Sequence, residues 1–191
     1  MGHLDQALAA IDAANGADPT LEHDPETGTE RPAALLYGRR MSAELARIAP
    51  DAPEHLKIAV RGQHIERWTS KRTDYPEGRE GYLTWRKDLS AFHGRRVAEI
   101  MAEAGYDAEA QSRAAQILRK EALKRDPEAQ LLEDVICLVF LRWYFAGFAN
   151  GRDPEQIARI VAKTARKMSA DGRARALREF DMPPDFAAAF G

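Results

Sequence analysis

The chain has 191 residues, of which 45% are hydrophobic and 30% charged, and its formal net charge is -2. That length suits one well-buried core and is short for two, and the near-neutral balance argues against wholesale attraction to nucleic acid or membrane surfaces. A single cysteine, Cys137, rules out an internal disulfide and fits a reducing, cytoplasmic setting.

The N-terminal stretch MGHLDQALAAIDAANG has early carboxylates and no basic region, so no signal peptide is expected. His3 to Asn15 reads as a first helix, stopped by Gly16. The polar, turn-rich stretch 18–31 (DPTLEHDPETGTER) reads as a loop or linker. Helical periodicity resumes from Ala33 to Ile48, before Pro50. Asp51 is placed to cap a third helix, with Pro53 in its first turn, running to about Trp68. After the loop TSKRTDYPEG, a long helix is expected from about Arg79 to Ala104, ended by Gly105. Asp107 opens a fifth helix to about Arg125, and Asp126-Pro127 a sixth that ends near Gly151. Asp153-Pro154 starts another, which Asp171-Gly172 breaks. The proline-containing tail 181–191 reads as loosely docked. The most apolar run, Val135 to Leu141, is too short for a bilayer. No stretch alternates with period two for long enough to predict a strand. The expected fold is therefore all-α: one compact helical bundle over 1–191.

Neighbours three and four positions apart share a helix face. On that spacing His64 follows Leu56 and Val60, and His93 lies between Leu89 and Val97. Glu121 follows Ala114 and Ile117, and Asp134 lies among Leu131, Val135 and Leu138. Four helices thus each turn one imidazole or carboxylate inward. Buried ionised groups are costly unless paired or metal-bound, and this set suits a divalent metal such as zinc, manganese or iron. A metal would lower the pKa of bound water and generate a nucleophile, with Glu66 or Glu133 as general base. The plainer alternative is a set of hydrogen-bonded core residues, Glu121 pairing with a nearby Lys or Arg.

The segment 61–87 adds Arg61, Arg67, Arg72, Arg79 and Arg86 with Trp68, Tyr75, Tyr82 and Trp85 interleaved. Arginine forks bind phosphate or carboxylate, and aromatic faces stack bases. A small anionic, phosphorylated or nucleotide-like substrate is the expected partner. The alternative is a metal-free module that grips RNA or another polyanion. The chain lacks both glycine-rich phosphate loops, and its His64-Ile65-Glu66 has no C-x-x-C to make a zinc deaminase.

The strings RGQHIERW, YPEGREGYLTWR, LKRDPEAQLLEDVICLVFL and KTARKMS resemble the bacterial and fungal domain-of-unknown-function family 4202 over nearly the whole chain. More distantly, the helix order resembles the His-Asp metal-dependent phosphohydrolases, an all-helical superfamily. That resemblance implies metal-ligand roles for His64, His93 and Asp134. It puts Tyr37 where the superfamily has an early histidine, and Ile65 where it has the aspartate of the His-Asp pair.

Overall fold

In a computed structural model, which describes residues 2–191, α1 spans His3–Asn15 and ends at Gly16, as its sequence predicts. The stretch expected as a loop forms an antiparallel hairpin, β1 (Leu21–Asp24) and β2 (Thr29–Pro32), with Leu21 opposite Pro32. Asp24 builds its turn by accepting from the Glu26 N–H and the Thr27 hydroxyl, and Gly28 supplies the left-handed residue. Neither strand has a fully apolar face, so period-two patterning is absent. Next comes α2 (Ala33–Ile48), whose first turn is held by Asp18 accepting from Ala34 N–H at 3.0 Å.

The third helix is shorter than its sequence predicts. α3 covers Glu54–Arg61 and stops at Gly62, so His64 lies in the turn beyond it. The long α4 (Gly78–Glu103) agrees with expectation. α5 runs over Ala108–Arg119, capped by Asp107 accepting from Ala110 N–H. It ends at Lys120 in the left-handed region, well before Arg125. Among the described residues these elements make up the first of two compact units, Met1–Ala122. Within it α4 packs along α5, α3 against α5, and α1 against α2, α3 and α4. Ile11, Met41, Leu56, Ile65, Met101 and Ile117 are fully buried there. Each contributes about 1.5–3 kcal/mol relative to exposure.

The second unit is Leu123–Gly191, where the sequence reading expects a single domain throughout. Its α6 (Pro127–Val139) has Asp126 as cap and Pro127 in its first turn. A π-helical turn, Phe140–Tyr144, leads into α7 (Phe145–Ala149). α8 (Pro154–Lys167) is capped by Asp153. The next break falls at Met168, not at Asp171-Gly172, because Ser169 caps α9 (Ala170–Glu179) and leaves Gly172 inside it. In the tail, α10 (Pro184–Ala187) packs on α8, and Phe190 is buried. The chain is thus mostly α-helical, with one small hairpin. No helix among the described residues is long and apolar enough to cross a membrane.

Candidate functional site: a cation-walled cavity with two histidines

The turn after α3 determines where His64 and Arg67 go. A Cβ on Gly62 would stand 2.4 Å from Val97 Cγ2, so glycine lets the end of α3 lie against α4. Ile65 is fully buried, and Glu66 takes a left-handed backbone with φ 50°. The buried Asn15 of α1 accepts from Glu66 N–H at 3.0 Å and fixes this strained residue. His64 and Arg67 then emerge together, with Arg67 Nη1 at 3.4 Å from His64 Nε2. The Arg67 guanidinium also lies over the Trp85 ring, 4.9 Å from its centroid.

On α4, the helical spacing of Arg86, Leu89, Ser90 and His93 puts them on one face. Gly94 lets that helix approach α5, since a Cβ there would stand 3.2 Å from the Ala115 carbonyl oxygen. The close approach sets the α4 stripe beside Leu118, Arg119 and Lys120 at the end of α5.

Between these elements lies a cavity of about 310 Å³, at the small end of ligand pockets. Its wall includes Arg67, Arg86, Lys87, Arg119 and Lys120, the imidazoles of His64 and His93, and no carboxylate. The two imidazole centroids are 5.9 Å apart. Tyr37 of α2 stacks on His64 at 4.5 Å, and its hydroxyl donates to Gln63 Oε1 at 2.8 Å. His93 is buried, and its Nε2 has no hydrogen-bond partner among the described residues.

Both histidines are uncharged near neutral pH. Burial, then the charges of Arg67 and Arg86, push His93 down to about 3. Burial also holds His64 well below its usual range, with Arg67 and His93 adding to it. Arg67 itself is lowered, by burial first and by Arg86 second. Partly buried neighbouring cations repel one another, and an anion between them relieves that cost.

The structure brings His64, His93, Arg67 and Arg86 to one cavity. The other residues singled out in the sequence lie elsewhere. Arg61 pairs with Asp12 at 3.0 Å, and Arg72 donates to the Tyr75 and Gly78 carbonyls. Arg79 is exposed at the start of α4. Glu66 pairs with Arg96 at 3.0 Å, and the buried Glu133 with Lys167 at 3.3 Å. Glu121 is exposed and pairs with Arg119 at 2.6 Å. Asp134 accepts from the Ser169 N–H at 2.8 Å and the Ser169 hydroxyl at 2.6 Å, an internal anion at the start of α9. Gly172 leaves room for it: a Cβ there would stand 2.8 Å from the carboxylate.

No group of three or more His, Cys, Asp or Glu that could hold a metal ion occurs among the described residues. The cavity's donor set points the same way, because five cationic side chains around two imidazoles repel a divalent cation and attract an anion. These residues do not fit a resident divalent metal. Sequence reading places Lys87 in the basic segment 61–87 but misses Ser90, Arg119 and Lys120 as wall residues. The α4 spacing of Arg86, Ser90 and His93 was a usable signal for Ser90, whereas Lys120 depends on where α5 stops.

Fold and site together define a mostly α-helical protein whose first unit carries a small cation-walled cavity. The chain belongs to the family described as Domain of unknown function (DUF4202), which matches residues 5–189. No curated protein and no solved structure matches it.

Proposed function

We propose that the cavity binds a small phosphorylated or nucleotide-like anion and hydrolyses it without a resident metal. One observation carries this reading: two uncharged imidazoles share a pocket with five cationic side chains and no carboxylate. Arg67, Arg86, Lys87, Arg119 and Lys120 neutralise the substrate's charge, and guanidinium forks suit phosphate oxygens. A small ester is favoured over a polyanion such as RNA, because Arg61 and Arg72, expected to line a basic surface, are engaged within the fold.

The reaction needs a proton acceptor. The uncharged, partly exposed His64 takes a proton from the attacking water as oxygen attacks phosphorus. The bond from phosphorus to the leaving oxygen breaks, and that oxygen recovers a proton from His64 or solvent. The dianion's field raises the imidazole's basicity as it binds.

The test is phosphate release from p-nitrophenyl phosphate and a panel of nucleoside monophosphates, using chelator-treated protein without a histidine tag. Turnover that persists after chelation and falls about 10²-fold or more in His64→Ala supports the reading. Near-stoichiometric metal in the purified protein, lost in His64→Ala, would overturn its metal-free character. Absence of both turnover and saturable binding across the panel would overturn it altogether.

A further inference from the structure

The helix that lines the cavity carries an exposed aromatic ring one turn before its first wall residue. Tyr82 precedes Arg86 by four positions in α4, about 6 Å along the helix axis. The spacing of Tyr82, Arg86, Leu89 and His93 keeps it on the face that lines the cavity. Tyr82 is 41% exposed, whereas Gly81 before it and Trp85 one turn on are buried. An exposed aromatic needs no explanation by itself, but this one adjoins the cationic wall.

Its surroundings hold the ring in place. Trp85 Nε1 donates to the Ser70 carbonyl at 3.4 Å, and the Arg67 guanidinium lies over the Trp85 ring. Tyr82 leans on Trp85, with ring centroids 6.0 Å apart and planes inclined at 51°. The Tyr82 phenol is also within electrostatic reach of Arg67. Trp85 is thus spent inside the fold, buried and paired with a cation. Tyr82 is the ring left open to solvent beside Arg67 and Arg86.

We propose that Tyr82 is a specificity-determining residue that stacks a nucleobase, so that the pocket takes nucleoside monophosphates in preference to sugar phosphates. This rests on the anion-binding reading above and adds what the phosphate is attached to. With the phosphate held by Arg67 and Arg86, a single ribose bridges the one helical turn to Tyr82. The base then lies on the phenol ring, and both planar faces leave water. A sugar phosphate meets the same cations but leaves Tyr82 bare.

The experiment is calorimetric titration of the full chain, at neutral pH and low salt, with adenosine 5′-monophosphate and with ribose 5-phosphate. Each is used as the phosphonate with a methylene in place of the ester oxygen, so that neither turns over. The two share phosphonate and sugar and differ in the base. The parent should bind the adenosine compound at least about fivefold more tightly, the low end of what stacking one base contributes. Tyr82→Ala should bring the two affinities within about twofold and leave that for the ribose compound unchanged. Tyr82→Phe keeps the ring and should keep the preference. Tyr82→Leu keeps apolar bulk without an aromatic face, and repeats the test should the alanine variant fail to fold.

Equal affinity of the parent for both compounds, or a preference that survives in the alanine or leucine variant, would overturn this inference alone. An equal loss of both ligands in those variants would make Tyr82 a prop for Trp85 and Arg67, and would overturn it too. Failure of both compounds to bind the parent would overturn the anion-pocket reading as well.

Discussion

His93 is the residue whose ionisation most directly links the cavity to stability. Its folded value, about 3, lies below the usual 6.5, so the unfolded chain binds a proton that the native chain refuses. The contribution is therefore complete above about pH 6.5 and is lost as pH falls towards 3. His64, also lowered, acts in the same direction. A urea-unfolding series across this range should show stability falling with acid, and a shallower fall in His93→Gln. A pH-independent midpoint would mean that these imidazoles are exposed in solution. Asp134 has a different role, since both its bonds to Ser169 bind α6 to the start of α9. Asp134→Ala should cost about 1–3 kcal/mol by leaving the Ser169 donors unmatched, measured as a lower denaturant midpoint. No change would show that water replaces the carboxylate there.

At the scale of elements, the end of α3 decides whether a cavity exists at all. Val97 is stiff and buried, and its Cγ2 stands where a Gly62 Cβ would go. Gly62→Ala should destabilise by about 1–3 kcal/mol through overpacking. Adding Val97→Ala should recover part of that, as a double-mutant cycle on thermal unfolding would measure. Strict additivity would mean that the two side chains do not meet. This contact also marks the limit of what the sequence makes legible. α1 and α2 follow from amphipathic spacing and from Gly16 and Pro50 as stops, and α4 from a long run free of internal proline that Gly105 ends. The early end of α3 depends instead on packing against Val97 of α4, 35 residues beyond Gly62 in the chain. Continuing α3 as a helix is what local spacing alone predicts, and it would put His64 on the Leu56–Val60 face rather than in a turn. The hairpin was hidden because its strands, LEHD and TERP, lack an apolar face. The DPETG turn was visible, but its partner strands were not.

For the whole molecule, charge is nearly balanced at -2, yet the cavity wall concentrates five cationic side chains and no acid. The sequence showed the basic density of segment 61–87 without showing which charges would be consumed internally. Arg61 goes to Asp12 and Arg72 to loop carbonyls, while Lys120, outside the segment, joins the wall. Local positive potential of this kind attracts anions in spite of the net charge, and salt screens it. Affinity for phenyl phosphate should therefore weaken as salt rises. The most direct test of the anion pocket is calorimetric titration of phenyl phosphate at low salt into the parent chain and into Arg67→Gln/Arg86→Gln. The account predicts one saturable site per chain, weakened at least about tenfold in the double variant, because charged hydrogen bonds contribute about 1.5–3 kcal/mol each. Equal binding by both proteins, or no saturable binding by the parent, would contradict it.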